Sequence, residues 1–292
     1  MASELSREQG YERFLADLRE LPTLPTVVAE VMVTLDKPTS SARDLERLVA
    51  NDQAIAARLL KLANSAFYGI PSKVTSLSRA ITLLGFNTVR SLVLTIGVLD
   101  KFSGPSGGRY FDRGEFWEHS LSVAVASKLL ATKDPSVNPE EAHIAGLLHD
   151  LGRVVADYCQ PDRFHEAMRR TYEEGENPLE AERNELGLSH DEIGALVAEQ
   201  WHFPDFIREA MAYHHQPEQA EHFQGIVQIV SLADAIVVAF KEQERAGDDY
   251  VIPELDPSLK DQWLATPRDE EVFLTKYEVE VEKVRDILAL FE

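Results

Sequence analysis

Residues 145–155 read AGLLHDLGRVV and set His149 beside Asp150 in what reads as an apolar helix. An ionised carboxylate in such a place costs roughly several kcal/mol unless it is paired or bound to a metal. Partners are therefore sought elsewhere in the chain. In GEFWEHS, Glu115 and His119 stand four apart, on one face of a helix. His190 falls in the first turn of a downstream helix, His214 and His215 in the last turn of the next, and Asp234 inside the apolar IVSLADAIVV. Imidazole and carboxylate together suit first-row transition metals: iron, manganese, zinc or nickel. With one carboxylate bridging, such a set could hold two ions, and two ions about 3.5–4 Å apart clamp a phosphoryl oxygen and activate water.

Each residue also has an ordinary structural reading. His214 and His215 suit the negative end of a helix dipole, Glu115 suits a solvated first turn, and Asp150 could pair with Arg153. Asp234 is harder to place this way, because IVSLADAIVV offers few local partners. A charged or metal partner from elsewhere is expected for it. His143, His165, His202 and His222 are read as ordinary structural histidines. Cys159 has no His-anchored nucleophile pattern around it and is read as structural.

The elements that must position these groups are helical, for apolar residues recur at helical spacing nearly throughout. Ser41 with Asp44, Asn138 with Pro139 and Glu141, and Ser189 with Glu192 are helix-start patterns. A helix is expected to begin at Pro204 and to be stopped by Pro217. The run SLSRAITLLGFNTVRSLVLTIGVLDKF should break near Gly85, and DEEVFLTKYEVEVEKVRDILALF should close the chain as one amphipathic helix. SGPSGG, 103–108, is the linker candidate, which divides the chain into a first helical lobe, 1–104, and a second, 105–292, carrying the site. The expected fold class is all-α, with two packed helical lobes.

A chain of 292 residues, 44% of them hydrophobic, can bury a real core. Its net charge of −21 argues against nucleic acid, and Arg58, Lys61 and Lys73 are too sparse to make a basic face. A single cysteine excludes an intramolecular disulfide, no signal-peptide core opens the chain, and GIVQIVSLADAIVVAF falls short of the ~20 apolar residues of a membrane span. A cytoplasmic location without membrane attachment is the expectation.

The order His, His-Asp, distant Asp resembles the HD superfamily of metal-dependent phosphohydrolases. HDLGR resembles its HD-x-G-K stretch, with Arg153 at the Lys position. His190 and the His214–His215 pair resemble the extended ligand set of the HD-GYP phosphodiesterases, and Glu115 matches a ligand of trinuclear members, which implies a possible third ion. LPTLP, ANSAFYG and SLSRAITLLGFNTVRSLVL resemble the HDOD family, the HD-related output domains of bacterial signalling proteins, over most of residues 20–240. The chain departs from both patterns. It keeps ligands that typical HDOD proteins lose. It also lacks the Asp-Gly-x-Gly-Tyr-Pro segment after the histidine pair, and Gln216 stands where HD-GYP proteins carry an acid.

The resemblance implies a centre of at least two divalent ions, iron or manganese ahead of zinc or nickel. His119, His149, Asp150 and Asp234 would hold one ion, and Asp150, His190, His214 and His215 the other. Two functions compete: a regulatory or sensing HDOD module, and a metal-dependent phosphohydrolase or phosphodiesterase acting on a nucleotide or cyclic dinucleotide, in which Asp150 bridges the ions and Arg153 steadies the phosphoryl oxygens. Lys128, Arg183 and Arg208 are further candidate cations. With no receiver, kinase or cyclase segment in the sequence, the input is expected from another molecule or from the site itself, and a signalling protein and a phosphate-containing small molecule are the candidate partners.

Overall fold

The computed structural model describes residues 2–21, 23–35, 40–65, 68–102, 109–246 and 257–289. Every regular element among them is helical. In chain order these are α1 (Ala2–Arg19), α2 (Thr26–Leu35), α3 (Ala42–Ala50), α4 (Gln53–Ala63), α5 (Leu77–Leu84), α6 (Phe86–Phe102), α7 (Arg113–Ala131), α8 (Pro139–Leu148), α9 (Leu151–Cys159), α10 (Pro161–Glu174), α11 (Pro178–Leu186), α12 (His190–Gln200), α13 (Asp205–Tyr213), α14 (Gln224–Ala246), α15 (Pro257–Trp263), α16 (Pro267–Val281) and α17 (Val284–Leu288). The SGPSGG stretch, and with it the expected boundary near 104, lies outside the described residues.

Helices α2–α6 pack among themselves, with α6 buried along most of its length. A second group gathers around α7, which carries α8, α14, α16 and α17 on its flanks. Helix α6 rests on α8, and α1 reaches across to α9 and α11, so one continuous apolar core runs from Phe14 to Ile287.

The caps read from the sequence form. Ser41 and Asp44 satisfy each other's backbone, Asn138 accepts from the Glu140 N–H at 3.0 Å, and the Ser189 N–H donates to Glu192 at 2.8 Å. Gly85 breaks its run as expected: at φ 88°, a backbone conformation other residues resist, the chain turns by 119° from α5 into α6.

Four local expectations are corrected. AGLLHDLGRVV is two helices, because α8 ends at Leu148 and α9 begins at Leu151, with the His-Asp pair at the break. The C-terminal run is likewise divided, into α16 and α17. Helix α13 ends at Tyr213, ahead of Pro217, which instead opens a 3-10 turn. Helix α14 has 23 residues, long and apolar enough in composition to cross a membrane, yet it packs against α7, α8 and α13. Its apolar side is buried in the core, which accounts for its composition without a bilayer.

Candidate metal centre

The break between α8 and α9 is what makes a site. In a continuous helix adjacent side chains point about 100° apart. Here Asp150 caps α9 without using its side chain for the cap, so its carboxylate is free to face the histidines. Both residues are buried, His149 completely.

Around Asp150 the expected groups converge from four helices: His119 from α7, His190 from the first residue of α12, His214 and His215 from the end of α13, and Asp234 from α14. They fall into two sets, each with ligand atoms within 4.8 Å of one another: Asp150, His190, His214 and His215, and His119, His149 and Asp234. The two oxygens of Asp150 are shared between the sets. Oδ1 lies 3.2 Å from His190 Nε2 and 3.5 Å from His214 Nε2, and Oδ2 lies 3.8 Å from His149 Nε2. Asp234 Oδ1 stands 3.0 Å from His119 Nε2 and 3.7 Å from His149 Nε2. Asp234 therefore has the non-local partners its apolar surroundings called for.

The imidazoles are held by their far nitrogens. His149 Nδ1 donates to Gly146 O at 2.8 Å, His214 Nδ1 faces the carbonyls of Ala210 and Met211 at 3.1 and 3.0 Å, and His190 Nδ1 faces Glu182 Oε2 at 2.7 Å. That pattern fixes each ring and turns Nε2 inward, the arrangement of metal-ligating histidines. Nε2 of His149 and Nε2 of His214 are buried without a hydrogen-bond partner, as are Arg153 Nε and Glu182 Oε1 beside them. Orphaned buried polar atoms are rare. Four at one place, with imidazole and carboxylate as the donor set, fit a metal centre.

The charges are strongly coupled. Burial opposes ionisation of Asp150, but Arg153, His149 and His190 outweigh it and hold the carboxyl well below its usual range. Asp234 is likewise held down against its burial by His119 and His149. His190, against its own burial, is pushed up to about 10 by Glu182 and Asp150. Partial desolvation and the flanking His214 and His190 press His215 down, although it is the one exposed member of its set.

Nothing in the sequence pattern marks Glu182. It is fully buried on α11 and accepts from both the backbone N–H and the ring of His190, each at 2.7 Å. The sole hint in the sequence was a Glu eight residues before a histidine, too common a spacing to read. Gly152 has a similarly hidden role. A Cβ there would lie 1.9 Å from the carbonyl oxygen of His190, so the glycine of HDLGR lets α9 and α12 touch.

The centre opens into a cavity of about 410 Å³ reached by His119, Asp150, Arg153, His215 and Asp234. Arg153 Nε sits 3.5 Å from Asp150 Oδ2 and 4.0 Å from Glu182 Oε1. Glu115 is exposed and lines the cavity, but is not among the groups whose ligand atoms converge. Lys128 pairs with Glu140, Arg183 with Glu192 and Arg208 with Asp205, and none of the three lines the cavity. Lys241 of α14, which the sequence did not suggest, does line it. The histidines set aside earlier stay outside both ligand sets: His165 pairs with Asp157 at 2.8 Å and His222 with Glu209 at 3.2 Å, for example. Burial raises the Cys159 thiol to about 12, consistent with an inert cysteine.

The family model described as the HDOD domain matches residues 21–217. The chain belongs to the HDOD family. The match stops short of α14, the helix that carries Asp234. The structure is similar to that of an HDOD domain protein of Geobacter sulfurreducens, with a TM-score of 0.75 and 26% identity over 97% of this chain and 99% of that one. It shares its fold with a candidate phosphohydrolase of Shewanella amazonensis SB2B (TM-score 0.70, 24% identity, 96% of both chains). The same holds for a candidate signal transduction protein of Marinobacter aquaeolei VT8 (TM-score 0.78, 20% identity, 98% of this chain and 66% of that one). Among curated relatives, this HDOD chain is 24% identical over 221 residues to an uncharacterised protein of Treponema pallidum strain Nichols, covering 75% of this chain and 42% of that one. A segment of 122 residues, 42% of this chain, is 32% identical to 18% of Ribonuclease Y of Clostridium tetani. The chain thus spans less than half the length of the curated relatives it matches.

Proposed function

We propose that this HDOD protein carries a dinuclear metal centre and hydrolyses a phosphate ester. The observation that carries the reading is the division of Asp150 between two histidine sets whose Nε2 atoms include two buried orphans, at the floor of an open cavity. His119, His149, Asp234 and one Asp150 oxygen would hold one ion, and His190, His214, His215 and the other oxygen the second. When bound, a pair of divalent ions supplies Lewis acidity at phosphorus and a water made acidic enough to attack near neutral pH. Iron or manganese suits this mixed imidazole and carboxylate set better than a thiolate-seeking ion. The chain's own groups do the positioning. Glu182 orients His190, and Arg153 stands beside Asp150 to neutralise charge developing on phosphoryl oxygens. Hydrolysis adds the water oxygen to phosphorus, breaks the ester P–O bond and returns a proton to the departing alcohol.

The structural relatives include proteins named for both phosphohydrolase and signal transduction roles. One observation favours the second role, a sensing centre without turnover. Arg153 lies against Asp150 and Glu182, and that contact commits its charge to the protein's own carboxylates. An RNA substrate, which the Ribonuclease Y segment suggests, is disfavoured by the net charge of −21. A cytoplasmic setting and a signalling partner remain part of the reading.

Metal content of protein purified without a metal-affinity tag, followed by turnover of p-nitrophenyl phosphate with Mn(II) or Fe(II), tests the proposal. Two ions per chain with turnover abolished in Asp150→Ala is the expected result. Two ions without turnover supports the sensing role, and substoichiometric metal overturns both.

A further inference from the structure

The walls of the cavity differ from its floor. Tyr172 projects from α10 with 65% of its surface exposed and Val238 from α14 with 41%, and both line the cavity. Large apolar surface held in water at the mouth of a cavity marks a place a ligand covers. The Tyr172 ring lies nearly parallel to that of Tyr110, 17° between planes and 6.4 Å between centroids, and Tyr110 is anchored through its hydroxyl to Glu173 at 2.5 Å. Phe111, Phe116 and Met168 continue this apolar wall. The rim is of the opposite character: Asp112, Glu115 and Glu242 outnumber Lys241 there.

Three kinds of surface line the cavity: the metal-ligand groups with Arg153, an aromatic and apolar wall, and the exposed carboxylates of Asp112, Glu115 and Glu242 at its rim. A phosphoryl group is attracted to the floor, a flat ring is covered by the wall, and a second anionic group further out meets carboxylates. Building on the hydrolase reading, we infer that the cavity selects the phosphate ester of a single aromatic or heteroaromatic alcohol and discriminates against ligands with a second, distal phosphate. Tyr172 is the specificity residue, through contact with the ring. The acidic rim is the element that rejects the extra charge.

Binding of four probes to the Mn(II)-loaded protein separates the zones: inorganic phosphate, methyl phosphate, phenyl phosphate and para-phenylene bisphosphate, followed by titration calorimetry. Phenyl phosphate should bind about 10-fold tighter than methyl phosphate, the scale of one ring stacked on an aromatic side chain. The bisphosphate should bind more weakly than phenyl phosphate. Tyr172→Ala should erase the preference for phenyl over methyl while leaving inorganic phosphate unchanged, and Tyr172→Phe should keep it. Glu242→Gln should bring the bisphosphate closer to phenyl phosphate. Thermal melts of each variant guard against misfolding, and Tyr172 is exposed enough for its loss to be tolerated. Equal affinity for methyl and phenyl phosphate, or tighter binding of the bisphosphate, overturns the inference while leaving the hydrolase reading intact. No binding of any probe, inorganic phosphate included, overturns both.

Discussion

Glu182 holds His190 from two directions at once, its Oε2 lying 2.7 Å from both the backbone nitrogen and ring Nδ1, with both residues almost wholly buried. A carboxylate behind an imidazole fixes the ring and raises its basicity as a ligand, and loss of such support costs about 10–100-fold in metal affinity. Glu182→Gln should therefore weaken one ion by about 10-fold or more. Competition with a fluorescent chelator measures it. Unchanged affinity with a lowered melting temperature would make Glu182 a purely structural acid.

The division of ligands sets a stoichiometric expectation. His190→Ala should lose one ion and keep the other, and His119→Ala should do the same for the opposite set. Asp150→Ala should lose both, because its two oxygens face different sets. Native mass spectrometry reads the counts directly. Loss of both ions in His190→Ala would show the partition to be wrong.

Asp234 is paired with His119 and His149 even without metal, so Asp234→Ala removes a charge-assisted contact from the apo protein too. A loss of about 1–3 kcal/mol is expected in chelator, on the scale of a hydrogen bond to a charged group. A larger loss is expected with metal, where a ligand also disappears. Paired melts with and without chelator check this, and equal losses would remove Asp234 from the ligand set.

Gly152→Ala puts a methyl group into the His190 carbonyl and should cost about 1–3 kcal/mol or more, with metal lost as α12 is pushed away. Gly85→Ala is the control. It strains a positive-φ backbone at a residue outside the ligand sets and the cavity lining, where a Cβ meets nothing within 4 Å, and should cost about 1–2 kcal/mol with metal content intact. Urea melts and metal analysis together distinguish the two, and retained metal in Gly152→Ala would contradict the contact argument.

His143 gives the stability of this protein a pH dependence apart from the metal centre. Burial and the nearby Lys128 ammonium hold its pKa down to about 4 from the ordinary 6.5. The unfolded chain takes up the proton first, so the stabilisation is complete above about pH 6.5 and is lost as pH falls toward 4. The gap corresponds to roughly 3 kcal/mol. Melts in chelator from pH 7.5 to 4.5 should show His143→Gln losing less stability than the parent over that interval. Parallel curves would exclude this role.

The sequence by itself determined the helical class and several helix starts, because both are local. Apolar spacing follows the helical repeat, and a cap such as Ser189 with Glu192 needs only a few residues. It also supplied the candidate ligand types, since His149 and Asp150 interrupt an apolar run and Asp234 stands among apolar neighbours that cannot satisfy it. Tertiary structure decided the rest. The turn between α8 and α9, which apolar periodicity runs straight through, aims His149 and Asp150 at the same point. Glu182, Gly152 and Lys241 gain their roles only once α11, α9 and α14 are packed around the centre. Such roles depend on distances between segments far apart in the chain. Local spacing cannot encode those distances, because they are fixed by how the buried faces of the helices fit together.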